Sequence, residues 1–299
     1  MRARRYLAAL GLPGIVWVAL FVATALYALI AISVGGLDPI LLTPVPAWNP
    51  LHWSASTLQE VGTALKPFSG SDWMVFQRTV IYIAIALAGC ILVGYPVAYY
   101  VAIRARRSKG IILALFVAPF LVSYMLRMLA WVGLLSPDGW INLVLEHLGL
   151  MSGHQPLNWL SGRSVTVVCA LIYGWVPYFI LPLYASLARF DQRFLEASRD
   201  LGAGTWQTFL HVTLPLSKQG ILAGTVIVAL PMFGDFFTNA LVSGTASTAM
   251  VGSLINTYAQ SQTDQGLAAA GAVWLMALLT LLLLPYLRSS ARATAEVAR

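Results

Sequence analysis

The sequence predicts an all-α membrane protein with six transmembrane helices and both termini in the cytoplasm. Of its 299 residues, 59% are apolar and 10% are charged, whereas a soluble domain carries about 25% charged residues. Six apolar runs are each long enough to cross about 30 Å of hydrocarbon at roughly 1.5 Å per residue. The basic residues lie in short clusters between these runs, so the net charge of +7 indicates membrane topology rather than nucleic-acid binding.

The first apolar run follows the basic stretch Met1–Arg5 and could therefore be a signal peptide. It contains 23 residues, whereas the apolar part of a signal peptide has about 7–15. We therefore expect a retained first helix. The six predicted spans are Leu12–Val34, Phe76–Ile103, Ile111–Leu135, Val165–Leu187, Gly220–Ser243 and Gly266–Leu287.

The distribution of lysine and arginine predicts the orientation. With the N-terminus inside, 14 basic residues lie in internal segments and only Lys66, Arg78 and Arg163 lie outside. Loops rich in Lys and Arg stay in the cytoplasm, so this bias places both termini there. Two long external segments, about 35–75 and 136–164, are rich in Trp, Pro and Gly. Their tryptophans suit anchoring at the membrane interface, and docking of an external partner is a compatible alternative.

The chain is expected to form one transmembrane domain over 1–299, with core helices at about 76–288. Gly220 and Gly224 are four residues apart, which predicts a face for close helix packing. Cys90 and Cys169 lie in apolar runs, and the four histidines are scattered. We therefore expect no disulfide and no metal site.

The most informative segment lies at about 188–219, between the fourth and fifth predicted spans. A helix carrying Glu196 leads to glycines at 202 and 204 and then to an amphipathic run that reaches Pro215. Glycine allows backbone angles closed to other residues, and proline cannot continue the hydrogen bonding of a helix. The pattern predicts a short helix, a sharp turn and a second short helix that Pro215 ends. Such a pair would present a compact charged surface to a groove on another protein.

At these residues the chain resembles the inner-membrane permeases of ATP-binding-cassette importers. The coupling loop of those permeases reads Glu-Ala-Ala, three residues, Gly, nine residues, then Ile-x-Leu-Pro. Here Ser198 stands in place of the second Ala, and Val212 in place of Ile. The resemblance implies a type I importer permease fold and contact with an ATPase. The residues to which it gives the ATPase-coupling role are Glu196, Ala197, Ser198, Gly202, Leu214 and Pro215.

A finer resemblance, to polyamine-type permeases, extends from the second to the fifth predicted span. Gly94-Tyr-Pro-Val-Ala98 is similar to their Gly-Tyr-Pro-x-Ala, and 123–131 is similar to their Ser-x-x-x-Arg-x-x-Ala-Trp. Further matching elements lie at 139–142, 148–150 and 234–236. The resemblance implies a permease for a small organic cation, with spermidine or putrescine favoured. Permeases for amino-phosphonates, other organic amines and iron carry similar elements, so these substrates stay open.

Arg127 and Asp235 are the clearest ionisable residues at membrane depth. A charge there is costly unless paired or hydrated, so each is a functional candidate. The alternative is that the two stabilise each other or a backbone carbonyl. We expect Asp235 to attract a cationic substrate, with help from aromatic faces and from Asn239 one helical turn away. The predicted pathway residues are Asp235, Tyr124, Trp131, Phe233, Phe236 and Asn239.

The resemblance also implies an assembly at the bacterial inner membrane. Its other members would be a second permease subunit, expected to be a homologue that forms a heterodimer, two ATPase subunits and an external solute-binding protein. The chain has no Gly-x-x-x-x-Gly-Lys-[Ser/Thr] phosphate loop. We therefore expect the ATPase subunits to bind ATP and Mg²⁺, and this chain to hold no cofactor and no catalytic residue.

Three other classes of protein fit the sequence less well. A secondary transporter would favour an inverted repeat, and no clear one is visible in the two halves. A membrane-embedded enzyme would favour His-Glu-x-x-His, Gly-x-Ser-x-Gly or clustered carboxylates, and none of these occurs. A structural scaffold would not need the register of the coupling-loop signature.

Overall fold

The computed structural model describes residues 2–38, 40, 43–53, 55–64, 72–105, 108–150, 157–189, 191 and 193–297. This part of the chain is helical except for a short antiparallel pair, β1 (Gly36–Leu37) with β2 (Pro44–Val45). The helices are α1 Arg2–Ser33, α2 Ser56–Ala64, α3 Trp73–Tyr99, α4 Lys109–Val117, α5 Tyr124–Leu135, α6 Trp140–His147, α7 Ser164–Ala188, α8 Arg193–Asp200, α9 Thr205–Thr208, α10 Leu214–Leu216, α11 Lys218–Phe233, α12 Phe237–Val242, α13 Val251–Gln260 and α14 Gln265–Val297.

Within the described residues, five helical segments are long and apolar enough to cross a membrane, and one bent pair adds a sixth. Four segments match the first, second, fourth and sixth predicted spans. The all-helical class with five or six spans is therefore confirmed. The segments are Leu12–Ser33, Trp73–Arg104, Tyr124–His147, Ser164–Ala188 and Gln265–Leu284, and the bent pair is Thr205–Leu216 with Lys218–Phe233.

The third predicted span, Ile111–Leu135, is wrong as a single helix. A 3-10 turn at Ala118–Leu121 follows α4, and α5 begins only at Tyr124. Pro119 lies in this turn and has no backbone N–H, so α-helical hydrogen bonding cannot continue through it. The candidate span that begins at Tyr124 takes in both α5 and α6. The start of the external segment predicted at 136–164 is therefore helical as well.

The fifth predicted span, Gly220–Ser243, is also interrupted. α11 ends at Phe233 and α12 begins at Phe237. Between them, Asp235 Oδ1 accepts the backbone N–H of Thr238 at 3.1 Å. This bond ties the Asp235 carboxylate to the second residue of α12, and such local bonds compete with helix continuation.

The chain divides into two units. The first comprises Met1–Trp73 and Leu254–Thr280. Within it the ring of Tyr27 on α1 lies 6.1 Å from that of Trp48 and 6.0 Å from that of Trp53. The two external tryptophans therefore pack on the first span.

The second unit comprises Met74–Ser253 and Leu281–Arg299. Its centre is the contact between α7 and α11, on the glycine face that the sequence predicts. A Cβ on Gly220 would lie 2.5 Å from Ser186 Cβ, and one on Gly224 would lie 2.8 Å from the Phe179 ring. Phe179 is fully buried and also meets Gly94 of α3. Glycine is required here because the two helices approach too closely for a side chain.

Candidate functional site

The segment between α7 and α11 folds as two short helices joined by a tight turn. The turn after α8 contains Gly202 with φ +83°, a left-handed conformation that favours glycine. The prediction of a special backbone angle at Gly202 is therefore confirmed. Gly204 has φ −67°, which any residue adopts, so the prediction of a special backbone angle there is wrong. Its backbone N–H is bound by Gln207 Oε1 at 3.1 Å, which closes the start of α9.

A pair of hydroxyl groups holds the two short helices together. Ser198 Oγ and Thr208 Oγ1 are 2.9 Å apart, and Ser198 also donates to the carbonyl of Leu195. Thr208 and Leu195 are both buried. Ser198 is the position at which the sequence departs from the Glu-Ala-Ala signature. The hydroxyl thus replaces a simple methyl contact with a hydrogen bond across the turn.

The sequence analysis predicted that Pro215 ends the second short helix, but it does not. Helical structure continues to Leu216, and the chain bends by 62° before α11 begins at Lys218. Proline cannot donate a backbone hydrogen bond and clashes with the carbonyl four residues earlier. The chain accommodates this with a π-helical stretch at Phe209–Thr213, in which the N–H of Leu214 bonds to the carbonyl of Phe209.

Phe209 connects this segment to α3. Its ring lies edge-on to Tyr95 at 5.4 Å and to Tyr99 at 6.4 Å. At the bend, Ser217 Oγ and the Tyr95 hydroxyl are 2.9 Å apart. Sequence analysis missed these partners because they lie more than 100 residues away in the chain. A displacement of the segment therefore reaches α3 by direct contact.

The outer face of the segment carries both apolar and charged groups. Leu201 on the turn is 88% exposed and Trp206 is 69% exposed. Glu196 and Ala197, from the predicted coupling residues, are also exposed on α8. The face therefore combines large apolar side chains with charges, as a protein-docking surface does. We name the segment Arg193–Leu216 the coupling segment.

A second polar site lies where α11 is interrupted. Asp235 is 6% exposed, and its Oδ2 accepts the Tyr124 hydroxyl at 2.7 Å and the Thr238 hydroxyl at 2.5 Å. Sequence analysis missed Thr238, whose hydroxyl and backbone N–H both donate to Asp235. Each carboxylate oxygen thus has a hydrogen bond from a neutral donor.

Arg127 lies on the other side of Tyr124. It is 5% exposed, and its guanidinium carbon is 5.4 Å from the centre of the Phe120 ring and 5.3 Å from that of Tyr124. Its Nη1 donates to the carbonyl of Gly174 at 3.4 Å, while its buried Nε has no hydrogen-bond partner. The sequence analysis gave as an alternative that the two charges stabilise each other or a backbone carbonyl. One of these two contacts is present. Arg127 does bind a backbone carbonyl, but it does not pair with Asp235.

Three other predicted pathway residues pack among apolar and aromatic groups. Phe233 is buried at the end of α11, and Phe236 stacks on Phe237 at 4.0 Å. Trp131 packs edge-on to the ring of Tyr173 at 5.3 Å. Of the predicted set, Tyr124 is the residue hydrogen-bonded to Asp235.

Asn239 belongs to a separate polar cluster. The hydroxyl of Thr248 donates to its side-chain oxygen at 2.8 Å. The prediction that Asn239 shares a helical face with Asp235 is wrong, because the helix is interrupted between α11 and α12. From α3, Arg78 donates to two backbone carbonyls of the loop 246–249, at 3.1 and 3.3 Å.

Comparison with known families places this geometry in context. A family model described as "Binding-protein-dependent transport system inner membrane component" matches residues 90–293. The matched range contains the coupling segment, Arg127 and Asp235.

Curated relatives are similar over the same part of the chain. The spermidine/putrescine transport system permease protein PotB of Escherichia coli (strain K12) is 32% identical over 206 residues, which are 69% of this chain and 74% of PotB. PotB of Haemophilus influenzae is 34% identical over 206 residues, 69% of this chain and 71% of the relative. The inner membrane ABC transporter permease protein YdcU of Escherichia coli (strain K12) is 34% identical over 192 residues, 58% of this chain and 59% of YdcU.

Two solved structures show the same fold. A chain of a bacterial ABC transporter involved in the import of the acidic polysaccharide alginate aligns with a TM-score of 0.58 at 14% identity, covering 94% of this chain and 96% of that chain. A chain of the alginate ABC transporter in complex with its alginate pentasaccharide-bound periplasmic protein gives 0.57 at 18% identity, covering 82% and 90%. At these identities the likeness concerns the fold alone.

Proposed function

Because the chain belongs to the family of binding-protein-dependent transport system inner membrane components, we propose that it forms the pathway for a small organic cation, with spermidine or putrescine favoured. As a permease of this family it is a non-catalytic, multi-pass subunit of an ABC importer in the inner membrane. Permeases of such importers act with ATPases and a periplasmic binding protein.

Similarity to PotB is the observation that carries the proposed substrate. The relatives from two organisms named as spermidine/putrescine permeases are 32% and 34% identical to this chain over more than two thirds of its length. The site is compatible with a cation, since it places a buried carboxylate among neutral hydroxyl groups that an ammonium group could replace as donor. YdcU is similar at 34% identity and its name states no substrate, so another amine or an amino-phosphonate is the alternative.

The proposed assembly contains a second, homologous permease subunit and two ATPase subunits that bind ATP and Mg²⁺. This chain then needs no cofactor of its own. The coupling segment docks in a groove of one ATPase subunit, with exposed Leu201 and Trp206 as its apolar anchors. Interfaces are enriched in such buried aromatic anchors.

Coupling follows from the contacts inside the segment. Closure of the ATPase dimer on ATP displaces the coupling segment as one body, because Ser198 and Thr208 hold its two helices together. Phe209 passes the displacement to α3, and the bend at Ser217 passes it to α11. Two sites are coupled in this way when both bias the same pair of conformations. The pathway then opens outward to receive the ligand, and hydrolysis resets it inward.

ATPase activity of the purified complex in lipid, with its binding protein and a panel of ligands, tests the proposal. We expect spermidine or putrescine to stimulate the parent complex. Glu196→Ala and Gly202→Asp are expected to lose the stimulation, because one removes a charge from the docking face and the other strains the turn. Gly204→Ala is the matched control, since that glycine has an ordinary φ and a Cβ there would make only one van der Waals contact, at 3.9 Å from Gln207 Oε1.

The two parts of the proposal fail separately. Stimulation by a different ligand, still lost in Glu196→Ala and Gly202→Asp, would remove the polyamine assignment and keep the coupling segment. Parent-like activity in both variants would show that the coupling segment does not transmit the ATPase motion.

The role of Asp235 has its own test. Asp235→Asn keeps the size of the side chain and removes its charge. If Asp235 receives a cation, the apparent affinity for spermidine falls. Unchanged transport and affinity would exclude Asp235 from the pathway. Asp138→Asn, at an exposed position between α5 and α6, controls for the loss of one negative charge.

A further inference from the structure

Two opposite charges are buried on the two sides of one tyrosine. The Tyr124 hydroxyl donates to Asp235 at 2.7 Å, while the face of its ring lies 5.3 Å from the Arg127 guanidinium carbon. Within the described residues, Asp235 is held by Tyr124 and Thr238, and Arg127 by the Gly174 carbonyl. Tyr124 therefore contacts both a carboxylate and a guanidinium, and within the described part of the chain neither group has a charged partner.

The charge of Arg127 is poorly compensated in this arrangement. Its hydrogen bond to Gly174 is long, at 3.4 Å, and its buried Nε has no partner. The two ring faces beside it offset only part of the free energy of holding a guanidinium at membrane depth. A buried donor without an acceptor adds a further penalty. A state in which Arg127 gains an anionic acceptor would lower both the cost of its buried charge and the cost of its unsatisfied Nε donor.

Both sides of the separation lie at interruptions of membrane helices. Tyr124 is the first residue of α5 and follows the extended residues Val122 and Ser123. Asp235 lies between α11 and α12. Backbone at such interruptions can change direction without breaking a run of helical hydrogen bonds. A movement at either joint that withdraws Tyr124 would leave Asp235 and Arg127 free to approach each other.

We infer that Arg127 is a built-in cation that pairs with Asp235 when the pathway is empty and that the substrate must displace. The inference rests on the proposed function, because it takes Asp235 as the group that receives the ammonium of the substrate. A guanidinium and an ammonium are both cationic donors that a carboxylate binds. Arg127 therefore sets how strongly a cation must bind to open the pair, and Tyr124 holds the separated arrangement.

Two measurements on the full complex in lipid nanodiscs, without binding protein, test the competition. The first is binding of radiolabelled spermidine. We expect Arg127→Gln to bind it about tenfold more tightly, within the usual range of coupling between sites. Tyr124→Phe is expected to bind it more weakly, because loss of the hydroxyl frees Asp235 for Arg127. Arg127→Lys keeps a competing cation and is expected to resemble the parent.

The second measurement is the thermal midpoint of the same complexes without ligand. Loss of one partner of a buried pair leaves the other charge uncompensated. Arg127→Gln is therefore expected to lower the midpoint by several degrees, and Asp235→Asn added to it is expected to restore the midpoint. Arg163→Gln is the matched control, since Arg163 also lies over an aromatic ring, that of Trp159, but is exposed.

Opposite directions of effect separate this inference from simple damage to the fold. Weaker spermidine binding in Arg127→Gln, or a ligand-free midpoint equal to or above that of the parent, would overturn it. Failure of the parent to bind spermidine would remove the polyamine assignment, while the ligand-free midpoints would still decide whether Arg127 and Asp235 pair.

Discussion

Substitution of Gly220 by alanine tests the packing that positions α11 against α7. A Cβ at this position would lie 2.5 Å from Ser186 Cβ, 2.9 Å from Ser186 Oγ and 3.2 Å from Leu183 Cα. The Oγ can turn away, but Cβ and Cα are fixed by the backbone of α7. The clash is therefore relieved only when the two helices move apart.

The size of the effect follows from these distances. Carbon atoms pack at about 3.5–4.0 Å, so α7 and α11 must separate by about 1 Å near Gly220. Overpacking of this kind costs about 1–3 kcal/mol, and alanine recovers about 0.5–1 kcal/mol over glycine within a helix. The net loss is then about 0–2.5 kcal/mol. It corresponds to a fall of up to about 10 °C in the unfolding midpoint for a chain of this size.

Thermal unfolding of the purified complex in detergent measures this fall. Gly133→Ala on α5 is the matched control, because that glycine is exposed and has no atom within 4 Å of its Cβ position. We expect its midpoint to equal or exceed that of the parent. A Gly220→Ala midpoint as high as that of Gly133→Ala would show that α7 and α11 do not approach this closely in the assembled protein.

Three further substitutions have defined outcomes. Ser198→Ala restores the family residue but leaves the buried Thr208 hydroxyl without its partner at 2.9 Å. We therefore expect the free energy of unfolding to fall by about 1–3 kcal/mol and the ligand to stimulate the ATPase less. Gly252→Ala would place a Cβ 2.6 Å from backbone carbon at the interruption between α11 and α12, so we expect both the thermal midpoint and transport to fall. Gly174→Ala would place a Cβ 2.8 Å from the Tyr124 ring, so we expect spermidine binding to weaken as in Tyr124→Phe. Parent-like values in the same ATPase, transport and binding assays would contradict each expectation.

The coupling segment was largely predictable because its signature encodes local geometry. Gly202 has the left-handed φ that the turn requires, and two short helices flank it as the spacing predicts. The contacts between the segment and α3 were not predictable. Phe209 meets Tyr95 and Tyr99 of α3, and such long-range partners leave no periodic signal in one sequence.

The interrupted spans were missed for a different physical reason. Hydrophobic content predicts which segments enter a membrane, but it does not report whether the backbone stays helical within them. The third and fifth predicted spans contain Pro119 and Gly234-Asp235 inside otherwise apolar runs. Both sets of residues disfavour a continuous helix, so the signal was present. These residues received no weight in the prediction because the spans were defined by length and apolarity alone.

A hydrogen bond joins the two interruptions, and this contact gives them a common explanation. Tyr124 begins the helix that follows the first interruption, and its hydroxyl binds Asp235 in the second. Non-helical backbone at membrane depth is tolerated where it is buried in protein or lines a polar cavity. Transporters use such discontinuous helices to bring polar groups to a substrate site. If the interruptions were only defects of packing, no polar contact would need to join them. The contact instead joins a buried carboxylate to a tyrosine whose ring also meets a buried guanidinium, which is the arrangement that the proposed substrate site requires of the two interruptions.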